Sequence, residues 1–168
     1  MFETASFHMI KTCNMKCKFC YATFDDISAK YLSIENVKII LFKLKEAGLK
    51  KITFAGGEPL LYPYIIEAVS YAKEIGLTTS IITNGSLLTK DLLNSFKNKL
   101  DWIGVSIDSI NFLTNQKIGR LGMDYYFYKF LIDDIKNFNF KLKINTVVNK
   151  YNEYENLQEF IQATFPLF

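Results

Sequence analysis

Strand-like runs and helix-period stretches alternate along the chain. Thr4–Met9 reads as a strand and leads into a polar loop that contains every cysteine. Ile34, Val37, Leu41 and Leu44 fall on one helical stripe, with Ser33 as its N-cap and Gly48 as its end. Lys51–Ala55 predicts a second strand. Ile65, Val69 and Ala72 mark a second helix that Gly76 ends. Leu77–Thr83 predicts a third strand, and Thr89 caps a third helix through Leu92, Leu93 and Phe96. Trp102–Ile107 predicts a fourth strand and Tyr125–Phe138 a fourth helix, with Tyr128, Leu131 and Ile135 on one face. Lys141–Val148 is the fifth strand and Glu153–Ala163 the fifth helix.

About five successive βα units predict a parallel α/β architecture, either a partial barrel or an open sheet. In such folds the site lies at the C-terminal strand ends. The unusual segments all fall there. The cysteine loop follows strand one, Gly56-Gly57-Glu58-Pro59 follows strand two, and Thr83-Asn84-Gly85-Ser86 follows strand three. Ser106, Asp108 and Ser109 close strand four. The two glycines let backbone approach a ligand, and Glu58 sets beside it a carboxylate suited to an ammonium. The competing reading of Gly-Gly-Glu-Pro is a tight turn with an exposed glutamate. Strand five alternates Phe140, Leu142, Ile144 and Thr146 with Lys141, Lys143, Asn145 and Val147. A parallel strand covered on both faces is apolar on both. The lysines therefore mark a polar, anion-binding lining or an exposed edge strand.

At 168 residues, with 49% hydrophobic and 15% aromatic content, the chain predicts one folded domain over residues 1–168. No apolar run approaches the ~18 residues of a membrane span. The N-terminal residues show no signal-peptide pattern, so a cytoplasmic, reducing setting is expected. A net charge of +3 gives no reason to expect nucleic acid. The basic residues are nineteen lysines and a single arginine, Arg120. That lone arginine is either a planar fork for a carboxylate or an ordinary surface cation.

The three cysteines, Cys13, Cys17 and Cys20, form a CxxxCxxC run. A cubane iron–sulfur cluster usually takes four thiolates. Three leave one iron without a protein ligand, and an open metal position is where chemistry happens. A zinc site with His8, the only histidine, lacks the second ligand pair such sites place downstream. Three buried structural thiols fit poorly with Asn14, Lys16 and Lys18 between them, and the odd, tight count excludes a disulfide framework.

The cysteine run after strand one and Gly-Gly-Glu-Pro after strand two resemble the radical SAM superfamily. That resemblance implies a partial (β/α) barrel. It implies a [4Fe-4S] cluster on Cys13, Cys17 and Cys20, and S-adenosyl-L-methionine on the open iron, with Gly56, Gly57 and Glu58 at its amino group. Within the superfamily, Phe7–Cys20, Lys51–Pro59, Ile82–Leu87, Ser106–Ser109 with Ile118–Arg120, and Lys143–Asn149 resemble viperin and its prokaryotic relatives, in order and spacing. The family converts CTP to 3′-deoxy-3′,4′-didehydro-CTP, an RNA chain terminator that serves defence against viruses or phage. An electron-donating reductase is an implied partner. By motif position, Ser106 and Arg120 would hold the SAM carboxylate and Asn84 and Ser86 would line its pocket. Lys51 and Lys143 would contact the triphosphate, with Asn145 and His8 nearby. Ser6 stands where the family has asparagine, and Leu121-Gly122-Met123-Asp124 replaces a Gly-rich, basic stretch. Ile161–Phe168 does not resemble the family's continuation into a sixth strand and closing segment. The expectation is a dehydratase short of its C-terminal part, with two alternatives: a radical SAM enzyme for another substrate, or an inactive cluster- and SAM-binding protein.

Overall fold

The computed structural model describes residues 3–21 and 31–164. Five strands form one sheet: β1 (Thr4–Ile10), β2 (Lys51–Gly56), β3 (Thr78–Thr83), β4 (Trp102–Ser106) and β5 (Lys141–Asn145). Six helices connect or follow them: α1 (Ile34–Glu46), α2 (Ile65–Glu74), α3 (Lys90–Phe96), α4 (Phe112–Ile118), α5 (Tyr125–Asn137) and α6 (Leu157–Thr164). Every neighbouring strand pair is parallel, and the spatial order is the chain order, β1-β2-β3-β4-β5. A sheet that advances by one strand at each crossover is singly wound. The alternatives left open by the sequence thereby resolve to the partial-barrel type.

Burial follows the strand period of two. Ile52, Phe54, Ile81, Ile103 and Val105 are fully buried in a core shared with Val37 and Leu41 of α1, Val69 of α2, Phe96 of α3 and Ile132 and Ile135 of α5. The opposite face carries Ser6, His8, Thr53, Ser106, Lys143 and Asn145, which are exposed or half-buried. The helices cover one face, and the concave face stays polar. On strand five, β5 is an edge of the described sheet, and Lys141, Lys143 and Asn145 belong to its concave face.

The capping residues act as predicted. Ser33 Oγ accepts from Asn36 N, and Thr89 Oγ1 accepts from Leu92 N. Most boundaries lie within a residue of expectation, and three elements differ by more. α4 was not predicted, because it is one short helix with exposed Phe112 and Leu113 and no core stripe of full length; Asn111 caps it and Gly119, at φ 90°, ends it. β5 stops at Asn145 and not at Val148, because the backbone then turns to side-chain partners: Val147 N donates to Asp108 Oδ1 at 2.8 Å. α6 begins at Leu157 and not at Glu153. Asn149 and Asn152 form a turn first, with Asn149 N donating to Asn152 Oδ1 at 2.7 Å. The last residues of the segment Ile161–Phe168, numbers 165–168, lie outside the described residues. Among the described residues no helix is long and apolar enough to cross a membrane.

Candidate functional site

The C-terminal strand ends enclose a cavity of about 740 Å³. Its wall on one side is the loop from Lys11 to Tyr21, with all three cysteines; on the others it is Ala55–Glu58, Ile82–Asn84, Ser106, Asp108, Arg120 and Asn145. Six chain segments thus meet where the parallel fold predicts a site.

The cysteine loop is clamped by backbone on both sides. Gly57 N donates to Ile10 O at 2.9 Å and Glu58 N to Thr12 O at 2.9 Å. From the other side, Lys16 N donates to Gly119 O at 3.2 Å and Lys18 N to Ile118 O at 2.9 Å. A Cβ on Gly57 would lie 2.2 Å from Thr12 O, and one on Gly119 would lie 2.0 Å from Lys16 O. Close approach at Gly57 is therefore to the cysteine loop itself, a role beyond the ligand contact expected from sequence. Asn14, inside the loop, closes a ring of hydrogen bonds with the exit of β3. Asn84 Nδ2 donates to Asn14 Oδ1 at 2.8 Å, Asn14 Nδ2 to Ser86 Oγ at 2.8 Å, and Ser86 Oγ to Asn84 Oδ1 at 2.6 Å.

Glu58 is 1% exposed, which corrects the reading of an exposed turn glutamate. Its carboxylate accepts from Asn84 N at 2.8 Å, Thr83 Oγ1 at 2.7 Å and Leu60 N at 3.1 Å. It ties the exit of β2 to the exit of β3 and still borders the cavity. Burial lifts its pKa above the carboxylate range; the three donors and Arg120 oppose that rise. An approaching ammonium would favour the ionised form.

Arg120 is 7% exposed and so is no surface cation. Nε donates to Asp108 Oδ2 at 2.7 Å, and Nη2 pairs with the same oxygen. Asp108 uses one edge of the fork, and Nη1 lies 3.9 Å from Met15 Sδ at the cavity wall. The carboxylate role implied for Arg120 is thus confined to the remaining edge. Asp108 was visible in Ser-Ile-Asp-Ser, but its partner was not, because the two are joined only by the turn of α4. Asn14 and Tyr128 also escaped the sequence reading. The Tyr128 hydroxyl is buried without a hydrogen-bond partner among the described residues, and burial pushes its pKa up.

Cys13 and Cys17 are half-buried and Cys20 is exposed. Burial pushes the Cys13 and Cys17 thiols up, and the Arg120 charge partly offsets this. Among the described residues no three Cys, His, Asp or Glu side chains are grouped closely enough to hold a single metal ion. Three thiols on one cavity wall are a donor set of the kind that binds the irons of a multi-iron cluster, and Gly56, Gly57 and Arg120 line the same cavity.

Of the residues assigned to nucleotide, His8 and Asn145 line the cavity. The His8 ring also meets the Tyr21 hydroxyl at 3.1 Å. Lys51 and Lys143 do not line it. They share the concave face with Ala55 and Asn145 but lie nearer the N-terminal strand ends, since Lys51 opens β2 and Lys143 precedes Asn145 by one pleat. Ser86 acts through Asn14 and Asn84 and is not at the cavity wall.

The family described as the Radical SAM superfamily matches residues 7–163. The chain is 45% identical, over 97% of its length, to an S-adenosylmethionine-dependent nucleotide dehydratase of Lacinutrix mariniflava, of which it covers 36%. It is 44% identical, over 97% of its length, to one of Flammeovirga pacifica, covering 59% of that protein. A relative of the same description from Danio rerio is 35% identical over 98% of the chain, which covers 48% of it. The chain therefore spans between 36% and 59% of these relatives. Among solved structures, Streptococcus suis SuiB bound to precursor peptide SuiA superposes with a TM-score of 0.80 at 21% identity, over 96% of this chain and 37% of that one. The anSMEcpe structure with bound AdoMet gives 0.72 at 18% identity, over 96% and 48%. These two likenesses concern the fold.

Proposed function

Because the chain belongs to the radical SAM superfamily, matched from residue 7 to 163, we propose that it carries the cluster- and SAM-binding site of a nucleotide dehydratase acting on CTP. The observation that supports this most is the continuity of the site. The thiol wall, the Gly-Gly exit and Arg120 border a cavity whose floor runs onto a polar concave face with Asn145, Lys143 and Lys51. A small nucleotide can then place its sugar near the cysteines and its phosphates among the cations. The names of the curated relatives support the same reaction class.

Cys13, Cys17 and Cys20 would hold a [4Fe-4S] cluster, and Gly56, Gly57, Glu58, Ser106 and Arg120 the methionine part of SAM. Together that pair supplies a 5′-deoxyadenosyl radical able to take a hydrogen atom from C4′ of the ribose. The chain's own residues do the positioning. The Gly57 and Gly119 contacts fix the cysteine loop. Glu58, bonded to Asn84 and Thr83, fixes the two strand exits, and Asp108 fixes Arg120. Met15, Ile82 and Val147 add apolar wall, which limits water near a reactive centre. The 3′ hydroxyl would then leave as water with a proton drawn from solvent, and an external reductase would supply two electrons, one to cleave SAM and one to complete the product. The product lacks a 3′ hydroxyl and stops RNA synthesis, which suits antiviral or anti-phage defence.

The test is anaerobic. The protein is reconstituted with iron and sulfide, given SAM and a strong reductant, and 5′-deoxyadenosine is measured with and without each nucleoside triphosphate. Deoxyadenosine that rises with CTP above the other triphosphates is the expected result. Equal, slow formation with every nucleotide and with none would refute CTP as the substrate. Cys17→Ala is expected to lose both the brown chromophore and all SAM cleavage.

A further inference from the structure

At the N-terminal end of the concave face, two ammonium groups sit over one indole. Lys51 Nζ lies 4.9 Å from the centroid of the Trp102 ring and Lys141 Nζ lies 5.4 Å from it. The register explains the meeting. Trp102 pairs with Lys141 across β4 and β5, and Lys51 reaches it over Thr78 and Ser80 of β3, whose short side chains leave the path open. Lys143 adds a third cation one pleat further along the same face. Its partner across the sheet, Gly104, has no side chain to cover it.

Each lysine is attracted to the negative face of the ring, but the two ammonium groups repel one another. Among the described residues none of Lys51, Lys141 and Lys143 has a carboxylate within ion-pairing distance. Between this cluster and the cysteine end lies Asn145, whose Nδ2 is a buried donor without a partner among the described residues. Lys51 lies four strand rises from Ala55 at the cavity, about 13 Å. Uncompensated cations, an unused donor and this length call for an elongated ligand with its charge at the far end.

The geometry points to Lys141 as a further cation of the triphosphate seat already ascribed to Lys51 and Lys143, and to Trp102 as the residue that positions Lys141 and Lys51 in it. This deepens the nucleotide reading above and rests on it. Lysines suit the task because phosphate needs point charges with freely rotating donors. Trp102 is a positioning residue: it holds both stems on one ring, so neither ammonium must be ordered when phosphate arrives.

Trp102 is the chain's sole tryptophan, so fluorotryptophan incorporation places a single fluorine NMR signal inside the seat. The reconstituted protein is titrated with CTP, cytidine and inorganic tripolyphosphate, and CTP binding is measured in parallel by equilibrium dialysis. The expected result is a saturable shift with CTP and tripolyphosphate and none with cytidine. Lys141→Ala is expected to weaken CTP and tripolyphosphate about tenfold. Lys141→Arg should restore most of that loss, and SAM affinity should not change in either variant. CTP binding by dialysis without a fluorine shift would overturn the seat while leaving the nucleotide reading intact. No CTP binding, with tripolyphosphate still shifting the signal in a Lys141-dependent way, would sink the nucleotide reading and keep an anion seat. Silence toward both ligands overturns the seat.

Discussion

Arg120 shows how one side chain can be committed before a ligand arrives. Its Nε and Nη2 meet Asp108, and both residues are buried. A buried guanidinium without its carboxylate would be strongly unfavourable, so Asp108 is what permits a cation at this depth. Arg120→Lys keeps the charge and loses the fork. It is expected to lower stability by about 1–3 kcal/mol and to weaken SAM binding, read by thermal unfolding and by SAM titration of the reconstituted protein. A variant with unchanged SAM affinity would move the carboxylate contact elsewhere. The cysteines, the glycines and the arginine could be singled out from sequence because their types are chemically restrictive. Asn14 could not, since an asparagine in a loop is common and its partners, Asn84 and Ser86, lie seventy or more residues away.

Contacts between secondary-structure elements fix both ends of the sheet. At Gly57 the exit of β2 touches the cysteine loop, and a Cβ would collide with the Thr12 carbonyl at 2.2 Å. Gly57→Ala is expected to cost about 1–3 kcal/mol and to reduce iron loading under conditions that load the wild type, as measured by iron content and absorbance. At the other end of the sheet, Asp101 joins three elements. It accepts from Thr79 N at 2.8 Å and from Lys73 Nζ at 2.6 Å. Partial burial raises its pKa, but Lys73 and Thr79 outweigh that and hold it below the usual carboxylate range. A depressed carboxylate stabilises the fold above its unfolded-state pKa, and that contribution is lost as pH falls through the folded-state value. Asp101→Asn is expected to cost about 1–2 kcal/mol at neutral pH, discounted because Lys73 and Asp101 are partly exposed. The deficit should shrink toward acid in denaturant melts. A deficit that stays constant with pH would contradict the assignment.

The whole molecule divides its labour by face. The convex side of the sheet holds the core, and the concave side is free for chemistry from the thiols at one end to the lysines at the other. Lys143→Ala is expected to weaken CTP about tenfold while leaving SAM affinity unchanged, because Lys143 sits away from the cavity's cysteine wall. Equal losses for both ligands in parallel titrations would place Lys143 beside SAM. No substitution on the concave face should lower stability as much as one at Phe54 or Ile103, which are fully buried.

Local chemistry determined much of this protein in advance. Helix stripes, caps and strand runs set five of the six α-helices and all five strands among the described residues, since periodicity and capping act over a few residues. The cysteine spacing placed all three thiols in one loop, because they lie within eight residues. The boundaries that moved, at Asn145 and Leu157, lie where side chains of Asp108, Asn149 and Asn152 claim backbone partners. Only the tertiary structure decided that Glu58 is a buried tie between strands, that Asp108 occupies one edge of Arg120, and that Lys51, Trp102 and Lys141 converge. Those outcomes depend on register across strands whose residues are tens of positions apart, and the sequence pattern carries no information on register until the sheet has formed.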